Sequence, residues 1–171
     1  MWLVGAADAT TLRPASPTER LLVSLASGAP RVHITGVRLL GRLRVGGGEL
    51  RLSNCSIEVA APARRHLTDS ALDLISDRAC SITGGEVVFT RTTMSGHAAG
   101  AIAVGAASLT LIECGFFGNT AQSGGAMLVT SAAVVTIVRS IFDNNTAVSS
   151  GGALQVQPCS ARHAVVVQAC R

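Results

Sequence analysis

The sequence predicts an all-β fold, a solenoid of stacked parallel rungs, and three observations carry that expectation. The first is an eight-residue pattern that recurs six times: VHITGVRL from Val32, LRLSNCSI from Leu50, VVFTRTTM from Val87, LTLIECGF from Leu109, VTIVRSIF from Val135 and VVVQACR from Val165, the last cut short at Arg171. Positions one and three are always apolar, two and five are mainly polar or small, six is small, and eight is Leu, Ile, Met or Phe. That alternation has the period of two of a strand with one buried face. The second is a companion strand ahead of the later windows, GAIAV (Gly100–Val104), GAMLV (Gly125–Val129) and GALQV (Gly152–Val156). The third is composition: 48% hydrophobic but 3% aromatic, with 18 Gly among 171 residues, so Val, Leu, Ile and Ala must fill the core between many tight turns.

Taken in chain order, residues 1–20 hold Pro14 and Pro17 and read as an irregular lead-in, and Leu21–Leu25 reads as the first strand. The windows then start 18, 37, 22, 26 and 30 residues apart. Irregular intervals between regular strands suit a solenoid whose turns vary in length while its strands stack. Leu43–Val45 and Cys80–Ile82 end five residues before the next window, as Val104 does before Leu109, so each rung has at least two strands. Residues 62–78 break the pattern. Leu67, Ala71, Leu74 and Ile75 recur there at helical spacing, which reads as a projecting loop or short helix, with an extra rung as the alternative. Residues 21–171 are therefore expected to form one right-handed, single-stranded parallel β-helix of about six coils. No polar cap is visible near Arg171, which points to a piece of a longer solenoid or to self-association through the last rung.

Two rungs carry a sharper signature. Phe116-Phe117-Gly118-Asn119 is followed by Gly124-Gly125-Ala126, and Phe142-Asp143-Asn144-Asn145 by Gly151-Gly152-Ala153. Phe116 and Phe142 are expected to stack in the core, with Asn119 and Asn145 at the corner after them. There Asn tolerates left-handed backbone, and its amide can pair turn groups that would otherwise be unsatisfied. Met94 and His97 hold the matching places in the preceding rung, so His97 is read as a substitute for the corner Asn.

These paired FxxN and GGA motifs resemble the repeats of the chlamydial polymorphic outer membrane proteins and, more broadly, pectin-lyase-like right-handed β-helices. The motifs cover residues 94–156 and the wider strand pattern 32–170. The resemblance implies a non-enzymatic structural or adhesive module, extracellular or on a cell surface, whose partners are polysaccharides or surface proteins. Its alternative is a polysaccharide lyase or hydrolase with an active site outside this segment. The chain departs from the polymorphic proteins in showing neither a signal peptide nor a β-barrel.

The residues themselves offer little chemistry. A β-helix lyase needs acidic residues clustered on an outward strand face, whereas the outward second positions are His33, Arg51, Val88, Thr110, Thr136 and Val166. A hydrolase needs carboxylates close together on neighbouring rungs. Glu113 and Asp143 are on adjacent rungs but at different places in the repeat. Asp69, Asp73 and Asp77 recur every four residues near Arg64, Arg65 and His66, a candidate calcium or sugar site that reads better as a solvated helix face. Cys55, Cys114 and Cys170 share the sixth window position, inward and small, two rungs apart at about 9.6 Å, too far to pair. Cys80 and Cys159 could pair only if loops bring them together. No CxxC occurs, so no metal or other cofactor is expected. Asn54 and Asn144 open the glycosylation triplets Asn54-Cys55-Ser56 and Asn144-Asn145-Thr146.

All 14 basic residues are Arg, and eleven of them fall in residues 1–91. Arg38, Arg42, Arg44 and Arg51, with His33, could form a basic stripe, but no aromatic residues interleave with them and nucleic acid is not an expected partner. The longest apolar stretch, Ala98 to Ala107, is half a transmembrane length.

Overall fold

The structure, a computed structural model, describes residues 2–4, 11–12, 21–26, 31–40, 42–58, 78–157 and 164–171. Among these the fold is all-β, with no helix and every strand pair parallel. The first sheet runs β1 (Trp2–Val4), β4 (Val32–Thr35), β7 (Glu49–Ser53), β10 (Glu86–Thr90), β13 (Ser108–Ile112), β17 (Val134–Val138) and β21 (Ala164–Gln168), hydrogen-bonded in that order. The second stacks β2 (Thr11–Leu12), β5 (Arg38–Leu40), β8 (Ser56–Glu58), β11 (Thr93–Ser95), β14 (Gly115–Phe117) and β18 (Ile141–Asp143). The third stacks β3 (Leu21–Leu25), β6 (Arg42–Val45), β9 (Cys80–Ile82), β12 (Ile102–Gly105), β16 (Met127–Thr130) and β20 (Leu154–Val156). A short pair, β15 (Thr120–Ser123) and β19 (Thr146–Ser150), lies between the second and third sheets along the chain. The chain thus visits the three sheets in turn and returns one strand further along each time.

The alternation read from the windows sets which side chains meet. Val32, Leu50, Val87, Leu109 and Val135 form one buried column of the first sheet, and Ile34, Leu52, Phe89, Leu111 and Ile137 form another. The eighth positions Leu39, Ile57, Met94 and Phe116 are fully buried in register in the second sheet. Each such side chain stabilises the stack by roughly 1.5–3 kcal/mol through removal from water, and it does so only because the rungs above and below supply the contact.

Two expectations change, and the third sheet adds a feature of its own. Residues 1–20 are not wholly an irregular lead-in: β1 and β2 extend the first and second sheets, with Leu3 opposite Ile34 and Leu12 opposite Leu39. Val167, expected in the core, is exposed because β21 has a neighbour only on its β17 side. The third sheet does not alternate at its centre. Ser81, Ala103 and Leu128 point away from the main core yet are buried, so β9, β12 and β16 are covered on both faces. The insertion at 62–78, with Asp69, Asp73, Asp77 and His66, lies outside the described residues apart from Arg78, as do Cys159 and His163.

Candidate functional site

Two corners and one flat face hold the features singled out by the sequence. At the corner after the second sheet, the register places His97, Asn119 and Asn145 in one column, two residues beyond Ser95, Phe117 and Asp143. Asn119 is fully buried, and its Oδ1 accepts the His97 backbone N–H at 3.1 Å. Asn145 Oδ1 accepts in the same way from the Asn119 N–H at 3.1 Å and from Asn119 Nδ2 at 2.9 Å. Asn119 Nδ2 also donates to Met94 O at 3.2 Å, and Asn145 Nδ2 to Phe116 O at 3.0 Å. His97 fills the same role, its Nε2 lying 3.1 Å from Ile57 O. A carbonyl only accepts, so that nitrogen carries the proton. Beside this column the rings of Phe116 and Phe142 stack at 4.8 Å between centroids with 7° between planes.

The left-handed residue of the corner, however, is neither Asn119 nor Asn145. Positive φ falls one residue earlier, at Gly96, Gly118 and Asn144. Turning the chain there leaves the next side chain facing inward, where its amide joins the column. Asn144 (φ 52°) is therefore exposed while Asn145 is half-buried.

A second bend, between the first and second sheets, was not foreseen. The fifth window position is left-handed in every rung: Gly36, Asn54, Arg91, Glu113, Arg139 and Ala169, with φ from 47° to 65°. The sixth position staples this bend. Cys55, Thr92, Cys114, Ser140 and Cys170 each donate from sulfur or oxygen to the carbonyl two residues back, at 3.1–3.5 Å. The Cys114 N–H in turn donates to Ser140 Oγ at 3.1 Å. The cysteines of this position are thus corner staples, and Cys55, Cys80, Cys114 and Cys170 are all free thiols.

Burial pushes the Cys80 thiol up to about 12 and raises Cys55 and Cys114 in the same direction. An unfolded thiol loses its proton near about pH 8.5, so the folded chain holds a proton that the unfolded chain releases above that pH. The stability of the fold is then full below about pH 8.5 and falls by roughly 1.4 kcal/mol per pH unit per retained thiol proton as pH rises toward the folded value. Urea midpoints at about pH 8 and pH 10 should show this loss, and Cys80→Val, which suits a slot between Leu43 and Ile102, should make it shallower. In the native state near pH 8, peptide mass spectrometry should find Cys170 alkylated before Cys55, Cys80 or Cys114.

The GGA corners are tight for a backbone reason. Gly124 and Gly151 have positive φ, and a Cβ on either would overlap a carbonyl three residues on, Met127 O or Leu154 O. A Cβ on Gly125 would overlap Gly152 O and the backbone of Thr146, whereas Gly118 has open space around it. Gly125→Ala should therefore cost about 1–3 kcal/mol. Gly118→Asn should cost under about 0.5 kcal/mol, since Asn tolerates left-handed backbone and Asn144 already occupies the equivalent place. Thermal unfolding of the two variants side by side checks the contrast.

The basic stripe does not form. Arg38 lies on the second sheet and Arg42 and Arg44 on the third, while only His33 and Arg51 are neighbours on the first. Glu49 bonds Arg51 at 2.5 Å and Arg31 at 2.7 Å, and the Arg51 guanidinium holds its carboxyl below the usual range. Glu113 is likewise paired with Arg139 at 2.9 Å and Asp143 stands on a different sheet, so the two acids do not converge. Among the described residues no three His, Cys, Asp or Glu side chains are placed to share a metal ion, and no helix is long and apolar enough to cross a membrane. Asn54 (φ 53°) and Asn144 are both exposed at left-handed bends.

What remains is the outer face of the first sheet. From β7 to β21 its register runs without a bulge. Val88, Thr110, Thr136 and Val166 form its central row, which Arg51 continues at β7, flanked by Thr90, Ile112 and Val138 on one side and Glu86, Ser108 and Val134 on the other. These positions are half-buried or exposed, and from β13 to β21 none of them is charged. β-Branched side chains are stiff at χ1, so the face presents fixed methyl and hydroxyl groups repeating at the strand spacing of about 4.8 Å. The fold and this face define a solenoid of parallel stacked sheets. Comparisons with protein-family models, curated proteins and solved structures each gave no match.

Proposed function

We propose that the protein is a non-enzymatic structural or adhesive module, a right-handed parallel β-helix of about six coils, acting outside the cell or at its surface. Parallel crossovers are almost always right-handed, which supports the hand. One observation carries the functional reading: the bulge-free outer face formed by Val88, Thr110, Thr136 and Val166 with their flanking rows, uncharged from β13 to β21. Monomeric proteins rarely leave such apolar patches without a use. An uncharged, extended partner suits it, because a charged polymer would lose its hydration there without gaining an opposite charge. A neutral polysaccharide offers hydroxyls to the threonines and C–H surface to Val88, Ile112 and Val138. The likeness of the FxxN and GGA corners to polymorphic outer membrane protein repeats points the same way.

The test is retention of the purified chain on a panel of neutral and acidic polysaccharides, with new reducing ends measured in the same wells. Retention by neutral polymers without cleavage is the expected result. Release of reducing ends would replace the proposal with a depolymerising enzyme, and retention by acidic polymers alone would move the contact to the arginine-rich rungs.

A further inference from the structure

Arg78 is the largest fully buried side chain among the described residues, 1% exposed, at the entry to β9. Carrying the register of Cys80, Ile102, Met127 and Leu154 back by two residues places Arg78, Gly100, Gly125 and Gly152 in one column. Three of these four positions have no side chain, and the fourth has one long enough to pass along the space they leave. Its guanidinium donates to Ile102 O at 3.1 Å in the next rung, and to Gly124 O at 2.6 Å and Ser123 O in the rung beyond. A Cβ on Gly100 would overlap the guanidinium itself. Burial lowers the Arg78 pKa to about 10, still far above neutrality, so the group is a cation at physiological pH.

We propose that the glycine column is a carbonyl-lined site for a planar guanidinium cation, and that Arg78 is its built-in ligand, a strap joining three successive rungs. Three convergent carbonyl oxygens match the divergent N–H fork of a guanidinium and have no proton of their own to offer. The GGA motif gains a second role here. Gly124 and Gly125 permit a tight corner, the Gly124 carbonyl also receives the cation, and Gly100 leaves the room in which it lies. The strap fastens the chain leaving residues 59–77 to β12 and the corner before β16, so the three rungs holding β9, β12 and β16 unfold together.

Arg78→Gly, which gives the column the residue it holds elsewhere, is the direct test. The expected result is a thermal midpoint lower by about 5 °C or more. Millimolar guanidinium chloride should restore part of that loss, while sodium or tetramethylammonium chloride at equal concentration should not. If Arg78→Gly does not fold alone, refolding yield with and without guanidinium gives the same readout. Gly100→Ala supplies an independent arm. Its added methyl should destabilise the parent chain and do much less in the Arg78→Gly background, so the two changes should be strongly non-additive. Additive effects together with no selective response to guanidinium would overturn the proposal.

Discussion

Asn119→Leu should lower the unfolding free energy by about 2–5 kcal/mol, read from urea denaturation. The side chain is fully buried and joins three rungs, accepting from His97, donating to Met94 O and donating to Asn145 Oδ1. Leucine has the same branched outline, is bulkier, and makes none of these bonds. The His97 N–H and the Met94 carbonyl lose a buried partner, and each such loss costs about 1–3 kcal/mol. Asn119→His should recover a substantial part, because His97 already shows that an imidazole in this column can reach the carbonyl one rung back. A similar loss for His and Leu would mean that shape, not hydrogen bonding, governs the column.

Phe116→Ala should cost about 3–5 kcal/mol. The ring is fully buried and lies between Met94 and Phe142 in the second-sheet stack, 4.8 Å from the Phe142 ring. Removing it leaves a cavity bounded by neighbouring rungs whose backbones are tied by parallel ladders, so collapse is limited. Phe142→Ala should cost less, since Phe142 is only partly buried. The order of the two variants in the same denaturation series is the check. A larger loss for Phe142 would mean that the end of the stack is more tightly packed than its burial indicates.

The strand columns were legible because a half-buried strand writes its inward face into the sequence every second residue. Val32, Leu50, Val87, Leu109 and Val135 align by pattern alone and meet in space. The Phe116 and Phe142 stack and the role of His97 were legible for a related reason, as repeated letters at fixed distances from a strand. The left-handed bends were not. Arg91, Glu113 and Arg139 are residues with no preference for positive φ, and their conformation is imposed by the stack. Their N–H groups donate to Ile112 O, Val138 O and Gln168 O of the following rung, which offsets the local cost. The only local trace is the small donor that follows, Thr92, Cys114 or Ser140, and small residues have many other uses. Arg78 was equally silent, since Ile102 O and Gly124 O, to which it donates, are backbone atoms 24 and 46 residues away. The basic stripe failed because Arg38, Arg44 and Arg51 are close in sequence but the chain turns between them, sending each to a different sheet.

The outer face of the first sheet as the binding surface is tested most directly by Thr136→Arg. Thr136 is an outward position between Thr110 and Val166, so the substitution should move the thermal midpoint only slightly, by the equivalent of about 0.5 kcal/mol or less. Retention on whichever neutral polysaccharide holds the parent chain should fall at least tenfold, because a charge is set in the middle of an uncharged contact. Unchanged retention by a folded Thr136→Arg protein would contradict the assignment of this face.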